Sequence, residues 1–108
     1  MEGEIVTEAL PYVAWSSSSI VVVPAADWPR VFASMQALKG HVQEHPGCQK
    51  LEAFVAEDDA GYRVHVYTTW DTPEQLEAYL TRGYTFERML ADVADLDAEA
   101  PQVMEKIF

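Results

Sequence analysis

The chain of 108 residues carries 18 acidic and 7 basic side chains, a formal net charge of −11, and 49% of its residues are hydrophobic. This length predicts one globular domain with one modest core. The negative charge repels a phosphate backbone and argues against nucleic acid as a partner. No apolar run approaches the ~20 residues of a membrane-spanning helix, so no membrane partner is predicted.

The beginning of the chain predicts an N-terminal extension, residues 1–19. It holds Trp15 and the serine run 16–19, which is typical of a flexible or edge segment. Residues 1–8 contain three glutamates and no Lys or Arg, unlike a signal peptide. The single cysteine, Cys48, excludes an internal disulfide. Together these features predict a cytoplasmic protein.

A strand and a helix follow the extension. The β-branched run Ile20–Val23 predicts a buried strand that ends at a proline. Asp27 is placed to cap a helix whose apolar residues recur at helical spacing. The turn residues Pro46 and Gly47 predict its end. The apolar positions of this helix are Trp28, Val31, Phe32, Met35, Leu38 and Val42.

Two strands joined by a hairpin come next. Apolar residues alternate with others from residue 50 to 55, which is the period of a strand, and residues 58–61 have the composition of a hairpin turn. The segment Tyr62–Trp70 predicts the third strand. One side of it carries Val64, Val66, Thr68 and Trp70, and the other carries Arg63, His65, Tyr67 and Thr69.

The last part of the chain predicts a second helix and a fourth strand. Thr72 is a typical N-cap, and Gln75 is placed to close a capping box. Gly83 predicts a bend or interruption of this helix. An acidic, weakly patterned stretch separates it from the final strand, residues 103–108.

The order β-α-β-β-α-β predicts an α+β, ferredoxin-like fold, with an antiparallel sheet and both helices on one face. The other face would carry large apolar side chains, which a solvent-facing sheet side usually lacks. A second copy of the sheet would cover them, so a homodimer is predicted. The extension, residues 1–19, is an alternative cover for part of this face.

Three stretches together resemble the antibiotic biosynthesis monooxygenase domain: His45–Cys48, Tyr67–Glu74 and Leu76–Leu80. The resemblance covers residues 20–108. It implies a dimeric α+β barrel, in which two sheets pack face to face and a ligand cleft lies between each sheet and its own helices. The family includes cofactor-independent monooxygenases of polyketide phenols and anthrones, quinol monooxygenases and haem-degrading enzymes.

The resemblance implies roles for two aromatic residues. Trp70 stands where a tryptophan lines the substrate cleft of the monooxygenases, and Tyr79 stands where many members carry histidine or tryptophan. A tyrosine there could hydrogen-bond a substrate phenol or help its proton leave. The alternatives are that Trp70 closes the end of the core and that Tyr79 is a core residue with its hydroxyl at the surface.

The chain also departs from the family. It has no asparagine, which the haem-degrading branch uses with a tryptophan and a histidine. Tyr79 replaces that tryptophan and Met89 replaces that histidine, so haem degradation is not expected. Val66 replaces an asparagine of the polyketide-oxidising branch, which weakens the match to that branch.

Other candidates are histidines and one acidic residue. His41 and His45 are spaced as a metal-binding pair on a helix, but no third ligand is evident, and no metal is predicted. His65 is expected on the sheet face opposite Trp70, in a sheet–sheet interface, or else as a base. Glu87 would be a buried base in a regular helix, whereas a break at Gly83 would rotate it outward, which is the favoured prediction.

The predicted function is oxidation of a small phenolic, quinol or polyketide-like aromatic by molecular oxygen, without any cofactor. The alternatives are a dimer that binds a small hydrophobic molecule without chemistry, and a cofactor-free isomerase or cyclase, which needs a base such as Glu87 or His65. Tyr79 and Trp70 are the predicted catalytic residues. The predicted substrate-binding residues are Phe32, Met35, Val66, Thr68, Phe86 and Leu90.

Overall fold

The computed structural model describes residues 14–82 and 84–107. Within them, a four-stranded antiparallel sheet of order β2-β3-β1-β4 carries three α-helices. This arrangement confirms the predicted α+β, ferredoxin-like fold. In chain order the elements are β1 (Trp15–Val23), a 3-10 turn (Ala25–Asp27), α1 (Trp28–Gln43), β2 (Cys48–Asp58), β3 (Gly61–Trp70), α2 (Pro73–Thr81), α3 (Phe86–Val93) and β4 (Gln102–Glu105).

Strand β1 begins at Trp15, earlier than the predicted start at Ile20, and it is an inner strand between β3 and β4. Residues 15–19, predicted to belong to an extension, are therefore part of the sheet. Serines are suited to this position because the side chains at 17 and 19 are buried and small, and the Ser17 hydroxyl finds a partner in Thr68. Residues 1–13 lie outside the described residues.

Helix α1 begins directly after Asp27, as predicted, and ends before the Pro46–Gly47 turn. The Asp27 carboxylate does not cap a backbone N–H; instead it accepts a hydrogen bond from the Arg30 guanidinium at 3.2 Å. Gly47 adopts a φ of +86°, which glycine tolerates best. No helix in the described part of the chain is both long enough and apolar enough to cross a membrane.

The second predicted helix is divided into α2 and α3, as the position of Gly83 predicted, although Gly83 itself is not among the described residues. Thr72 caps α2 by accepting a hydrogen bond from the Gln75 N–H at 3.1 Å. The predicted return bond from Gln75 is wrong, because its Oε1 is buried against Gly47 and has no partner among residues 14–82 and 84–107. Thr85 caps α3.

The two faces of the sheet differ, as the alternation of residues along β3 predicted. The inner face packs against the helices and includes Val64, Val66 and Trp70, each at most 1% exposed. The opposite face, called here the outer sheet face, retains apolar groups that water reaches, such as Phe54 at 57% exposure. The larger side chains on the outer sheet face are Ile20, Val22, Lys50, Glu52, Phe54, Arg63, His65, Tyr67 and Met104.

Candidate functional site

The space between β3 and α2 is occupied by an aromatic cluster of Trp70, Tyr79 and His45. The Trp70 and Tyr79 rings lie 4.8 Å apart between centroids and are 0% and 1% exposed. His45 presents its edge to both, at 6.2 Å from Trp70 and 5.5 Å from Tyr79. Neither Trp70 nor Tyr79 lines either of the cavities described below. The rings themselves fill the position at which a ligand cleft was predicted.

The polar groups beneath Trp70 bind one another. The Trp70 indole N–H donates to the Thr68 hydroxyl at 2.8 Å, and the Thr68 and Ser17 hydroxyls share a hydrogen bond. All three side chains are buried. Because a buried polar group needs a partner, this chain of bonds stabilises the sheet and leaves the Trp70 N–H engaged within the protein.

The Tyr79 hydroxyl joins the two halves of the broken helix. It accepts a hydrogen bond from the Phe86 N–H, the first residue of α3, at 2.7 Å. The hydroxyl therefore lies inside the protein. Burial raises the pKa of Tyr79 above its ordinary value, and the nearby Glu87 carboxylate acts in the same direction. The phenol consequently stays protonated at neutral pH and holds the start of α3 in place.

Replacing Tyr79 with phenylalanine will lower the free energy of unfolding by about 1–3 kcal/mol, because the buried Phe86 N–H loses its acceptor. Urea denaturation followed by circular dichroism measures this change. Tyr84→Phe removes the same atom from a side chain that is 68% exposed, and we expect it to change stability by less than about 0.5 kcal/mol. Equal effects of the two substitutions would contradict a structural role for the Tyr79 hydroxyl.

Most of the other predicted substrate-binding residues surround the aromatic cluster as core. Val66, Phe86 and Leu90 are at most 2% exposed, and Met35 packs against them. Phe32 does not join them: its side chain is 59% exposed and its ring lies 5.5 Å from that of Trp28. Their contribution to ligand binding stays a prediction.

A cavity of about 650 Å³ lies between α3 and the segment 96–101 that leads to β4. We call it the α3 cavity. Its size falls in the range of small-molecule sites. It was not predicted, because residues 96–101 have no regular pattern. Its wall is formed by Leu80, Thr85, Glu87, Arg88, Ala91, Asp92, Leu96, Asp97, Ala98, Glu99, Ala100 and Pro101.

Glu87 is the chemically distinctive residue of this wall. Its side chain is 2% exposed, and Oε2 has no hydrogen-bond partner among the described residues. The favoured prediction that the break at Gly83 turns Glu87 outward is therefore wrong. Helix α3 starts afresh at Phe86 and buries Phe86 and Leu90, and the neighbouring positions 87 and 91 are buried as well. A buried carboxylate oxygen without a hydrogen-bond donor, in a residue of a cavity wall, makes Glu87 a candidate base.

The remaining candidates lie elsewhere. His41 is exposed while His45 packs on the aromatic cluster, and no group of three or more potential metal ligands occurs within residues 14–82 and 84–107. His65 is on the outer sheet face, opposite Trp70, as predicted. Burial raises the pKa of the Cys48 thiol, with a smaller contribution from Asp71, which disfavours the reactive thiolate.

Comparison with known proteins rests on structure alone. No protein-family model matches the sequence, and no curated protein matches it significantly. Solved structures do match. A candidate antibiotic biosynthesis monooxygenase from Nitrosomonas europaea gives a TM-score of 0.61 at 16% identity, over 86% of this chain and 88% of that one. A second candidate, from Caulobacter crescentus, gives 0.61 at 16% identity, over 93% and 94%.

The chain has the fold of the antibiotic biosynthesis monooxygenases. A haem-degrading protein from Mycobacterium tuberculosis shares this fold, with a TM-score of 0.61 at 18% identity over 89% of this chain and 93% of that one. One fold therefore accompanies different chemistries, and at such identities the likeness carries the fold alone. The activity depends on the side chains that this fold carries.

Proposed function

We propose that this protein is a monooxygenase that oxidises a small phenolic or quinol-like aromatic with molecular oxygen, with Glu87 as its general base. The observation that carries the proposal is the buried Glu87 carboxylate, unpartnered at Oε2, in the wall of a cavity large enough for such a molecule. The fold shared with candidate monooxygenases supports the same reaction class.

The reaction needs no external reductant, because the substrate itself supplies the electrons that reduce oxygen. Glu87 takes the phenolic proton, and the electron-rich ring carbon of the phenolate then bonds to oxygen. Breaking the O–O bond leaves one oxygen atom on the ring, and the other leaves as water with the two hydrogens that the substrate loses. A phenol thus becomes a quinone. Burial of Glu87 keeps bulk water from competing for the proton-transfer step.

Tyr79 and Trp70 act in this proposal as positioning residues. The Tyr79 hydroxyl holds the Phe86 N–H, one residue before Glu87. Trp70 packs on the Tyr79 ring and limits its movement. Both residues were predicted as catalytic on the basis of the resemblance. Their buried positions support an indirect role, in which they fix the start of α3 and with it the carboxylate.

Glu87→Gln tests the proposal. With anthrone, quinol and catechol substrates in an oxygen electrode, we expect the variant to lose about 100-fold or more in kcat, the usual contribution of a positioned base. Glu77→Gln removes a charge from an exposed position on α2 and should leave the rate unchanged. Wild-type oxygen uptake at the background rate, or an unchanged rate in Glu87→Gln, would overturn the proposal.

A base in the α3 cavity would also serve a cofactor-free isomerase or cyclase. The observation that favours this second candidate is the same carboxylate, because proton abstraction is the first step of either reaction. Oxygen separates the two functions. Turnover that continues in an anaerobic chamber and depends on Glu87 would assign the isomerase or cyclase, and turnover that stops there assigns the monooxygenase.

We also propose that two copies associate through the outer sheet face. Phe54 is 57% exposed, and its ring lies 5.9 Å from that of Tyr67, which is 37% exposed. A groove of about 540 Å³ on this face includes both rings together with His65 and Met104. Exposed aromatic rings bordered by polar and charged side chains, here including Lys50, Glu52 and Lys106, often mark an interface. Face-to-face packing of two sheets would bury the rings, as the implied barrel requires.

A further inference from the structure

The wall of the α3 cavity carries more negative than positive groups. Its carboxylates are those of Glu87, Asp92, Asp97 and Glu99, whereas its one guanidinium is that of Arg88. The whole chain carries a formal net charge of −11. A cleft lined by one sign of charge concentrates ions of the opposite sign and repels ions of its own. The cavity therefore favours cationic over anionic molecules.

The acidic groups of the cavity lie at two depths. Glu87 is buried, and its Oε2 lacks a hydrogen-bond donor among the described residues. Asp97 and Glu99 also line the cavity, but they are exposed to water. A buried acceptor suits a neutral hydroxyl, because removing an ammonium ion fully from water is costly. The exposed carboxylates can pair with a cation that stays partly hydrated.

We infer that the substrate is an aromatic phenol that also carries a protonated amine. Its hydroxyl lies at Glu87 and its ammonium group lies near Asp97 and Glu99. This inference rests on the proposed function, since it names the substrate class for the same cavity. The positive charge has a chemical use as well: it stabilises the phenolate that forms when Glu87 takes the proton. The same excess of negative charge disfavours aromatic carboxylates and phosphates.

Three catechols of similar size test the inference: dopamine, 4-methylcatechol and 3,4-dihydroxyphenylacetate. All three contain one catechol ring. The side chain of dopamine is positively charged, that of 4-methylcatechol is neutral, and that of 3,4-dihydroxyphenylacetate is negatively charged. Binding is titrated by calorimetry in the absence of oxygen, which separates affinity from turnover. We expect dopamine to bind about 10-fold more tightly than 4-methylcatechol, and the acetate to bind more weakly still. The preference should shrink as added salt screens the exposed carboxylates.

A double variant, Asp97→Asn with Glu99→Gln, should remove the preference, so that dopamine and 4-methylcatechol bind to it with equal affinity. The matched control, Glu74→Gln with Glu77→Gln, removes the same charge from exposed positions on α2 and should keep the preference. Equal affinities for the three catechols, no binding of any of them, or an equal loss in the control variant would overturn the inference.

The two proposals fail in different ways. If dopamine binds with the expected preference but no oxygen is consumed, the cation-binding cavity stands and the oxidation is wrong. If 4-methylcatechol is oxidised with a kcat/KM equal to or above that of dopamine, the oxidation stands and the inferred charge of the substrate is wrong.

Discussion

Gly61→Ala will destabilise the protein by about 3 kcal/mol or more, a large share of the 5–15 kcal/mol typical of a domain. Gly61 begins β3 and has a φ of +132°, a region that residues with a side chain rarely adopt. An added Cβ would also overlap the backbone carbonyl oxygen of Val23 and lie 2.9 Å from the Ala25 N. Backbone atoms cannot move aside without shifting the end of β1.

Gly40→Ala is the matched control, since the same methyl group enters the last turn of α1 and meets nothing within 4 Å. Alanine is the better helix former, so we expect a gain of about 0.5–1 kcal/mol. Chemical denaturation gives both free energies of unfolding. A Gly61→Ala variant as stable as the wild type would show that the hairpin end does not pack on β1 as described.

Phe54→Lys will weaken self-association by about 100-fold or more. In a twofold dimer the substitution occurs twice, and each ammonium would lose water at the interface where the Phe54 ring packs in the wild type. Phe54 is already 57% exposed in the single chain, so the fold itself should tolerate the change. Analytical ultracentrifugation over a range of protein concentrations measures the dissociation constant.

Val55→Lys is the control for this experiment. Val55 is the next residue in β2 and is 53% exposed, but it pairs with Val64 and so belongs to the helix-bearing face of the sheet. We expect the dimer of the Val55→Lys variant to have the same dissociation constant as the wild-type dimer. A monomeric wild-type protein, or equal weakening by both lysines, would contradict a dimer formed through the outer sheet face.

Much of the fold could be predicted from local patterns. The period of β3, the Thr72 cap and the Gly83 interruption each reflect short-range chemistry, and each agrees with the structure. The start of β1 could not be predicted in this way. The serine run has weak strand propensity, and only its pairing with β3 and β4, together with the Thr68 hydroxyl, makes it an inner strand.

The site was harder to predict than the fold. Trp70 and Tyr79 were correctly placed on the inner face and on the apolar side of α2, but sequence does not show whether two facing aromatics enclose a ligand or fill the space themselves. Glu87 illustrates the other difficulty. The direction of its side chain depends on the angle at which α3 begins after the break that follows α2. It also depends on where residues 96–101 lie relative to α3. The periodicity of apolar residues reveals neither.

The strand order also has a consequence for how the chain folds. Strands β2 and β3 are joined by a tight turn between Asp58 and Gly61, so their pairing closes a short loop at little entropic cost. Pairing of β1 with β4 brings Ser18 to Gln102 and must close most of the chain. The hairpin is therefore the natural nucleus. We expect strand β4 to dock late. Since residues 96–101, which precede it, form part of the wall of the α3 cavity, that cavity is completed only when folding is nearly finished.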